Sequence, residues 1–333
     1  MRKYMVFVTL TVCITILSGC GKRGSGSMEA ESRVQIAESQ VQTSEQEAGK
    51  TELGKAGSGE PESEELMFEE SGIQESKPED PAIVEVDWSG YFDRLTATAV
   101  LYDTGKKQYR IYNPELAEER HSPCSTFKIV SALTGLENGI VTPDNSTRIW
   151  SGERFWNEDW NRDIDFPEAF RVSCVWYFRQ LIDDIGKEAM AEELERLEYG
   201  NQDISDWEGR LNTNNHNRAL TGFWLESSLK ISPVEQVQVM ERIFGVNSLY
   251  SPGTVEQLKQ VMKVTDYETS MLVYGKTGMG KAEGKTVDAW FTGFAQTEEG
   301  PVYFCVRLGE SEGDEPTSGK AKEIAVRILS DEY

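Results

Sequence analysis

The stretch PCSTFKIVSALTGLENG, residues 123–139, carries the start, the apolar period and the end of a helix. Pro123 stands where a helix begins, and apolar residues recur at helical spacing from Phe127 to Leu136. The closing Asn-Gly pair is typical of a helix C-terminus. The stretch therefore predicts a mostly buried helix with Ser125 in its first turn.

Ser125 and Lys128 form a Ser-x-x-Lys pair at the start of this helix. Side chains three residues apart lie on one face, so the Lys128 amine can reach the Ser125 hydroxyl while apolar neighbours exclude water from it. A lysine with an ordinary pKa near about 10.4 stays protonated, and only desolvation makes it useful as a base. Ser227 and Lys230 have the same spacing, but no helix start signal precedes them. Ser125 is therefore the predicted nucleophile.

A serine hydroxyl needs a base before it acts as a nucleophile, and histidine is the usual one. The sequence holds two histidines, His121 and His216. No acidic companion completes a triad with His121, and two histidines without paired cysteines or a spaced carboxylate do not indicate a zinc centre. Lys128 is therefore the predicted base, and no metal is expected.

Two further motifs follow in the order expected of one acyl-transfer site. They are Ser173-Cys174-Val175 and Lys276-Thr277-Gly278. A Ser-x-x-Lys helix, a second serine and a Lys-Thr-Gly strand together indicate a penicillin-recognising serine acyl-transfer centre. Each motif is weak alone, and their order carries the prediction.

Residues 275–281 also come close to a phosphate-binding loop. Ala282 stands where that motif needs a Ser or Thr for Mg²⁺, and the residues after it do not open a helix. The nucleotide-binding alternative is therefore rejected.

The sequence from about residue 90 to residue 333 resembles the class D β-lactamases, the oxacillinase family. The matching segments are Ser125-Thr126-Phe127-Lys128, Ser173-Cys174-Val175, Tyr199-Gly200-Asn201, Phe223-Trp224-Leu225-Glu226, Ile231-Ser232-Pro233, Lys276-Thr277-Gly278 and Trp290-Phe291-Thr292-Gly293. The resemblance implies hydrolysis of β-lactam antibiotics through a serine acyl-enzyme, with a β-lactam as the small-molecule substrate.

In this family the motif lysine adds carbon dioxide and becomes a carbamate that acts as the base. The resemblance implies the same of Lys128, with carbon dioxide or bicarbonate as the source and no other cofactor. It implies that the indole N–H of Trp224 binds the carbamate, because a buried anion needs donors. It also implies that Val175 and Leu225 form an apolar wall beside the deacylating water, and that Ser173 relays a proton to the leaving nitrogen.

The resemblance assigns the Lys-Thr-Gly strand to substrate binding. It implies that Lys276 and Thr277 hold the substrate carboxylate by charge and hydroxyl donation. The strand backbone near Gly278 and Met279 is expected to pair with the substrate amide. The backbone N–H groups of Ser125 and Met279 are expected to form the oxyanion hole.

One position departs from the family. An arginine near the start of the last helix often binds the substrate carboxylate there, whereas this chain reads Ser318-Gly319-Lys320-Ala321-Lys322. A lysine is a weaker bidentate partner than an arginine. Lys320 and Lys322 are both candidates for this contact.

The first twenty residues predict export. Arg2 and Lys3 precede an apolar stretch at residues 5–17, and small residues then lead to Cys20, as in a bacterial lipoprotein signal. We therefore expect a signal peptide at residues 1–19, a lipid on Cys20 that attaches the protein to the membrane, and an extracytoplasmic location. An ordinary secretory signal and a short transmembrane anchor are the alternatives, and the apolar stretch is short for a membrane span.

Residues 20–83 are dominated by Glu, Ser, Gly, Gln and Lys and show no sustained apolar period. This composition predicts a disordered acidic tether. The tether contributes to the formal net charge of -23, which argues against nucleic-acid binding. No protein partner is implied. Residues 84–333 are then the catalytic domain.

The periodicity of this domain predicts an α+β fold, in which an antiparallel sheet is flanked by helices and joined to a mostly helical subdomain. Residues 94–101 and 109–112 are expected to pair as strands, and residues 125–244 to be largely helical. A second group of strands is expected as an antiparallel meander at residues 271–276, 289–295 and 302–307. A last helix at residues 320–329 covers one face.

Three cysteines fall in the predicted domain, at Cys124, Cys174 and Cys305. The first two flank apolar helical positions, where cysteine packs as a small hydrophobe, so free buried thiols are expected.

Two alternative functions share the same site motifs. One is a β-lactam sensor domain that becomes acylated and stays so, and the other is a cell-wall D,D-peptidase. The predicted apolar wall and the indole of Trp224 favour hydrolysis over the peptidase. Sensor domains of this resemblance normally belong to a transmembrane signalling chain, whereas this sequence predicts a signal peptide and a tether, which favours the enzyme over the sensor.

Overall fold

The computed structural model describes residues 80–211, 216–265, 267, 271–311 and 315–333. The described residues all belong to one compact unit. Within the described ranges, no helix is both long and apolar enough to cross a membrane. The predicted signal peptide, the lipidated Cys20 and nearly all of the predicted tether lie outside the described residues, so these stay predictions.

The described residues form six strands and eight α-helices. The strands are β1 (Ala82–Glu85), β2 (Ala97–Asp103), β3 (Gln108–Tyr112), β4 (Leu272–Ala282), β5 (Lys285–Thr297) and β6 (Gly300–Gly309). The helices are α1 (Pro114–Glu118), α2 (Lys128–Glu137), α3 (Phe166–Arg171), α4 (Val175–Ile185), α5 (Lys187–Arg196), α6 (Pro233–Phe244), α7 (Pro252–Met262) and α8 (Ser318–Glu332). The predicted α+β fold, its strand pair, its meander and its last helix are confirmed.

The strands form one sheet in the order β1-β3-β2-β6-β5-β4. β1 runs parallel to β3, and every other neighbouring pair is antiparallel. The sheet is therefore mixed rather than wholly antiparallel, and β1 is an addition to the predicted set. It has only four residues, all exposed, so it gives no period-two signal. Its first two residues, Ala82 and Ile83, lie within the sequence predicted as tether.

The central strands are covered on both faces. In β6, Val302, Phe304 and Val306 pack in one apolar core with α8, whereas Tyr303 and Cys305 pack in a second core with the helices that precede β4. Alternating side chains of a strand point to opposite faces of a sheet. Because both faces are buried, β6 reads as a continuous apolar run rather than an alternating one.

Helix α2 lies inside the helical subdomain, and its residues from Lys128 to Leu136 are buried. The chain leaves α2 at Asn138, and Gly139 follows with a left-handed φ of 65°, as the Asn-Gly pair predicts. Ser125 precedes α2, in a 3₁₀ turn at Cys124–Phe127, rather than in the first α-helical turn. Tighter 3₁₀ winding is common at helix N-termini, and it keeps the three-residue spacing of Ser125 and Lys128.

Candidate active site

Ser125 and Lys128 meet as their spacing predicts. The Nζ atom of Lys128 lies 2.9 Å from the Oγ atom of Ser125. Lys128 is only 1% exposed, and its Nζ lies 5.4 Å from the centroid of the Phe178 ring. Burial lowers the pKa of the Lys128 amine to about 8, because an apolar environment disfavours the charged form. The pair thus combines a hydroxyl with an amine that is partly neutral near neutral pH, and this neutral fraction, roughly a tenth at pH 7, can accept a proton.

Two buried polar groups close to this pair have no hydrogen-bond partner among the described residues. They are the Oγ of Ser173 and the Nε1 of Trp224. Ser173 precedes Cys174, whose thiol interacts electrostatically with Lys128. The Trp224 ring stacks on Phe127 with the ring centroids 6.1 Å apart. A buried polar group without a hydrogen-bond partner costs about 1–3 kcal/mol. Both groups are therefore available to hydrogen-bond a ligand or a modified side chain in this site.

The backbone is strained at two points of the same region. Cys124 and Ser173 have left-handed φ angles of 49° and 55°. Such angles cost on the order of 1–3 kcal/mol in non-glycine residues and are found where a side chain must be aimed. One precedes the nucleophile directly, and the other aims the second motif serine.

Strand β4 brings the Lys-Thr-Gly motif beside the Ser125 turn. Lys276 is 5% exposed, and its Nζ donates to the backbone oxygen of Thr277 at 3.1 Å and to its Oγ1 at 3.3 Å. Burial, followed by the charges of Lys128 and Lys322, lowers the pKa of Lys276 well below its usual range. A carboxylate bound there would stabilise the ammonium form, which is the electrostatic match expected of a substrate acid.

A cavity of about 310 Å³ opens beside this strand. Lys276, Thr277, Arg171 and Lys322 contribute to its lining, whereas Lys320 does not. Of the two lysines that the sequence left open, Lys322 therefore lines the same cavity as Lys276 and Thr277. Arg171 was not predicted to line this cavity, and its guanidinium is paired with the Glu168 carboxylate at 2.6 Å.

A second cavity, of about 420 Å³, contains the residues predicted to flank the reacting water. Val175, Leu225 and Met279 line it together with Trp156 and Trp160. The two tryptophans were missed, because the irregular segment that carries them shows no period and no motif. The predicted wall and the predicted substrate strand thus share one apolar cleft.

Two glycines allow β4 to approach the nucleophile turn. A Cβ atom on Gly278 would lie 2.9 Å from the carbonyl oxygen of Pro123 and 3.2 Å from the backbone nitrogen of Thr126. A Cβ atom on Gly280 would lie 2.9 Å from the Sγ of Cys124. Contacts this short with backbone require the strand to move away. The third residue of the Lys-Thr-Gly motif is therefore a glycine because the nucleophile turn leaves no room for a Cβ atom.

Gly278→Ala is expected to slow acylation of Ser125 by roughly ten- to a hundredfold, because a shift of about 1 Å in a reacting geometry has effects of this size. It is also expected to lower the free energy of unfolding by about 1–3 kcal/mol through overpacking. Stopped-flow acylation by a chromogenic cephalosporin and denaturant unfolding measure the two effects.

Gly253→Ala is the matched control, since a Cβ atom at Gly253 would have nothing within 4 Å. This change is expected to leave acylation unaltered. Equal acylation rates for the Gly278 variant and the wild type would contradict the packing argument.

The rejected alternatives are also excluded by geometry. Residues 275–282 lie within β4, so the segment that resembles a phosphate-binding loop is extended strand. The ring of His121 contacts Arg307 at 2.8 Å and Asp288 at 3.3 Å. It therefore has an acidic neighbour that the sequence did not predict, but among the described contacts its ring has no hydrogen bond to Ser125. The hydroxyl of Ser227 donates to Asp206, so the rival Ser-x-x-Lys serine is held by another residue.

The three cysteines of the domain are free thiols, and all are buried. Burial raises the pKa of the Cys174 thiol to about 11 and raises that of Cys124 still further. Thiols of this kind are inert packing groups, and the prediction of free buried thiols is confirmed.

The fold and the Ser–Lys centre together define a penicillin-recognising serine acyl-transfer protein. Residues 95–330 match the family model of the penicillin binding protein transpeptidase domain. The chain therefore belongs to that family, and within it the chain is class D β-lactamase-like.

Two relatives from Bacillus subtilis support the class. "Probable beta-lactamase YbxI" is 34% identical over 238 residues, which cover 72% of this chain and 81% of that protein. The crystal structure of a class D β-lactamase from this organism matches with a TM-score of 0.63 at 33% identity, over 74% of this chain and 95% of that one.

A regulatory protein is similar to the same region. The regulatory protein BlaR1 of Bacillus licheniformis is 31% identical over 246 residues, and the chain spans 38% of its length. The C-terminal domain of the Bacillus licheniformis BlaR penicillin-receptor matches with a TM-score of 0.65 at 30% identity, over 75% of this chain and 96% of that one.

Proposed function

We propose that this protein is a class D serine β-lactamase that opens the lactam ring through an acyl-enzyme on Ser125 and then hydrolyses the ester. The observation that carries the proposal is the Lys128 amine, which is buried, has a pKa of about 8 and lies 2.9 Å from the Ser125 hydroxyl. A base is most effective when its pKa lies near the working pH. The family and its β-lactamase members support a β-lactam as the substrate.

In the acylation step, the Oγ of Ser125 bonds to the lactam carbonyl carbon, and its proton passes to the side chain at position 128. The lactam C–N bond breaks, and the ring nitrogen takes a proton through the Ser173 hydroxyl. In the deacylation step, water adds to the ester carbon and gives its proton to the same base. The ester C–O bond then breaks, and the base returns that proton to the Ser125 oxygen, which leaves as a hydroxyl.

The residues around Lys128 fit a carbamate on its amine. Burial keeps a fraction of this amine neutral, and only a neutral amine adds carbon dioxide. The carbamate would supply an oxygen atom as the base in place of the amine nitrogen. The Nε1 of Trp224 and the hydroxyl of Ser173 are unpartnered donors in this region, and they would hold the negative charge that the apolar surroundings do not solvate.

The substrate is proposed to lie along β4. Lys276, Thr277 and Lys322 would bind its carboxylate at one cavity, and the apolar cleft lined by Val175 and Leu225 would take the acylamino side. The backbone N–H groups of Ser125 and Met279 would then stabilise the oxyanion. In this arrangement the substrate would occupy both cavities and lie against the edge of β4.

Export as a lipoprotein is proposed from the sequence of the first twenty residues, with Cys20 as the lipidated N-terminus outside the cytoplasm. Cys20→Ser is expected to move the protein from the membrane fraction to the soluble one. An unchanged membrane fraction would contradict lipidation at this residue.

A β-lactam sensor is the second candidate function, because a penicillin-receptor domain is similar to this chain over nearly the whole domain. Both candidates require acylation of Ser125, and they differ in deacylation. A D,D-peptidase is a third candidate, and its activity on D-Ala-D-Ala peptides without lactam turnover would identify it.

Steady-state hydrolysis of a chromogenic cephalosporin and of a penicillin by the full-length protein tests the proposal. Turnover that rises with added bicarbonate is expected. A single stoichiometric burst, with Ser125 trapped in an adduct that bicarbonate does not release, would establish the sensor instead.

A further inference from the structure

Ser122 links the nucleophile turn to two other parts of the domain. Its buried hydroxyl donates to the backbone oxygen of Trp224 at 3.0 Å and accepts from the backbone N–H of Glu226 at 2.8 Å. Its own backbone oxygen accepts from the indole Nε1 of Trp290 at 3.1 Å. One residue three places before Ser125 thus holds both the Trp224 segment and β5.

The Trp224 segment needs such ties, because residues 221–230 form turns and bends rather than a helix or a strand. Glu226 has a left-handed φ of 52°, a conformation that persists only where surrounding contacts fix it. Two more bonds assist Ser122. The N–H of Cys124 donates to the Trp224 oxygen at 3.0 Å, and that of Lys281 donates to the Glu226 carboxylate at 2.5 Å.

The indole of Trp224 has little freedom of its own. A Cβ atom on Gly222 would lie 1.9 Å from the Cζ3 of Trp224, so the glycine backbone lies flat against the ring. Phe127 and Phe223 cover it with ring centroids 6.1 and 5.2 Å away. In such packing the direction of the Nε1–H follows the backbone of residue 224, and that backbone is what Ser122 holds.

We propose that Ser122 is a positioning residue that aims the Trp224 N–H at the carbamate on Lys128. The inference rests on the proposed function. Removing the hydroxyl takes away the acceptor of the Glu226 N–H and one of the two donors to the Trp224 oxygen. The contacts between Ser125 and Lys128 do not involve Ser122, so the loss falls on the carbamate and on deacylation rather than on the nucleophile.

The test is the carbamate occupancy of Ser122→Ala as a function of ¹³C-bicarbonate, read from the carbamate carbon in the NMR spectrum of the full-length protein. Half-occupancy is expected to need roughly tenfold more bicarbonate than in the wild type, in line with a displacement below about 1 Å. The single-turnover acylation rate at saturating bicarbonate is expected to change by less than threefold. An unchanged half-occupancy would overturn the inference.

Ser131→Ala is the matched control, because Ser131 is a buried α2 serine whose hydroxyl bonds only to the Phe127 backbone oxygen at 3.2 Å among the described contacts. It is expected to leave the bicarbonate dependence unchanged. Ser122→Thr, which keeps the hydroxyl, is expected to restore wild-type occupancy and covers the case that the alanine variant is poorly folded.

A double-mutant cycle separates positioning from a general packing effect. In a Trp224→Phe background, which lacks the indole N–H, Ser122→Ala is expected to cause no further rise in the bicarbonate requirement. An additive rise would show that Ser122 acts by another route and would overturn the inference. A wild-type protein without any carbamate signal would instead refute the lysine carbamate of the proposed function.

Discussion

Lys128→Ala is expected to lower β-lactam turnover by roughly a hundred- to ten-thousandfold, the range found when a positioned base is removed. In the proposed mechanism the side chain at this position takes the Ser125 proton in one step and the water proton in the other, so both steps would lose their base. The Ser125 hydroxyl also loses its partner at 2.9 Å. Steady-state kinetics with a penicillin measures the effect, and Lys128→Met, which fills the same volume, is expected to be equally inactive.

Lys230→Ala is the control for this prediction. Lys230 belongs to the second Ser-x-x-Lys match, whose serine is held by Asp206, and its removal is expected to leave turnover unchanged.

A further check is the pH profile of wild-type acylation in bicarbonate-free buffer. The neutral amine is the active form, so the rate is expected to rise through about pH 8, the pKa of Lys128, and to level off above it. A Lys128→Ala enzyme with more than about a tenth of wild-type turnover would contradict the assignment.

Local sequence patterns predicted the helix that follows the nucleophile, because its start signal, its apolar period and its end signal all indicate the same element. Pro123, the apolar period and the Asn-Gly end all point to one buried helix, and the three-residue spacing then fixes the reach of Lys128 to Ser125. The 3₁₀ winding of Cys124–Phe127 was beyond these signals. It depends on Cys124, whose N–H bonds to the Trp224 oxygen a hundred residues away.

The features that sequence reasoning missed are those that depend on distant partners. β1 forms only because β3 offers it an edge, and four exposed residues cannot signal that pairing. β4 continues through Gly278 and Gly280, residues with low strand propensity, because β5 pairs with it along its whole length. Ser122 looked like an ordinary polar residue, since its role lies in bonds to residues 224 and 226. Tertiary contacts, rather than local propensity, decide all three.

Trp224→Phe is expected to slow deacylation on the order of a hundredfold while acylation changes by less than about tenfold. Phenylalanine preserves most of the packing against Phe127 and Phe223 but lacks the Nε1–H, a buried donor without a partner in this region. Removing one preorganised donor from a charged reacting centre has effects of about this size. The proposed carbamate would then be less stable, so the base would be missing when water must attack. A burst of acylation followed by slow turnover is the expected trace.

Trp207→Phe is the matched control, because the Trp207 ring stacks on Phe223 at a centroid distance of 5.1 Å and is not assigned to the reaction. It is expected to keep both rates. High bicarbonate is expected to restore part of the Trp224→Phe deacylation rate, since mass action refills a weakened site, and it is expected to have no effect on Lys128→Ala. Equal slowing of acylation and deacylation in Trp224→Phe, without rescue by bicarbonate, would mean that the indole shapes the cleft and does not hold the base.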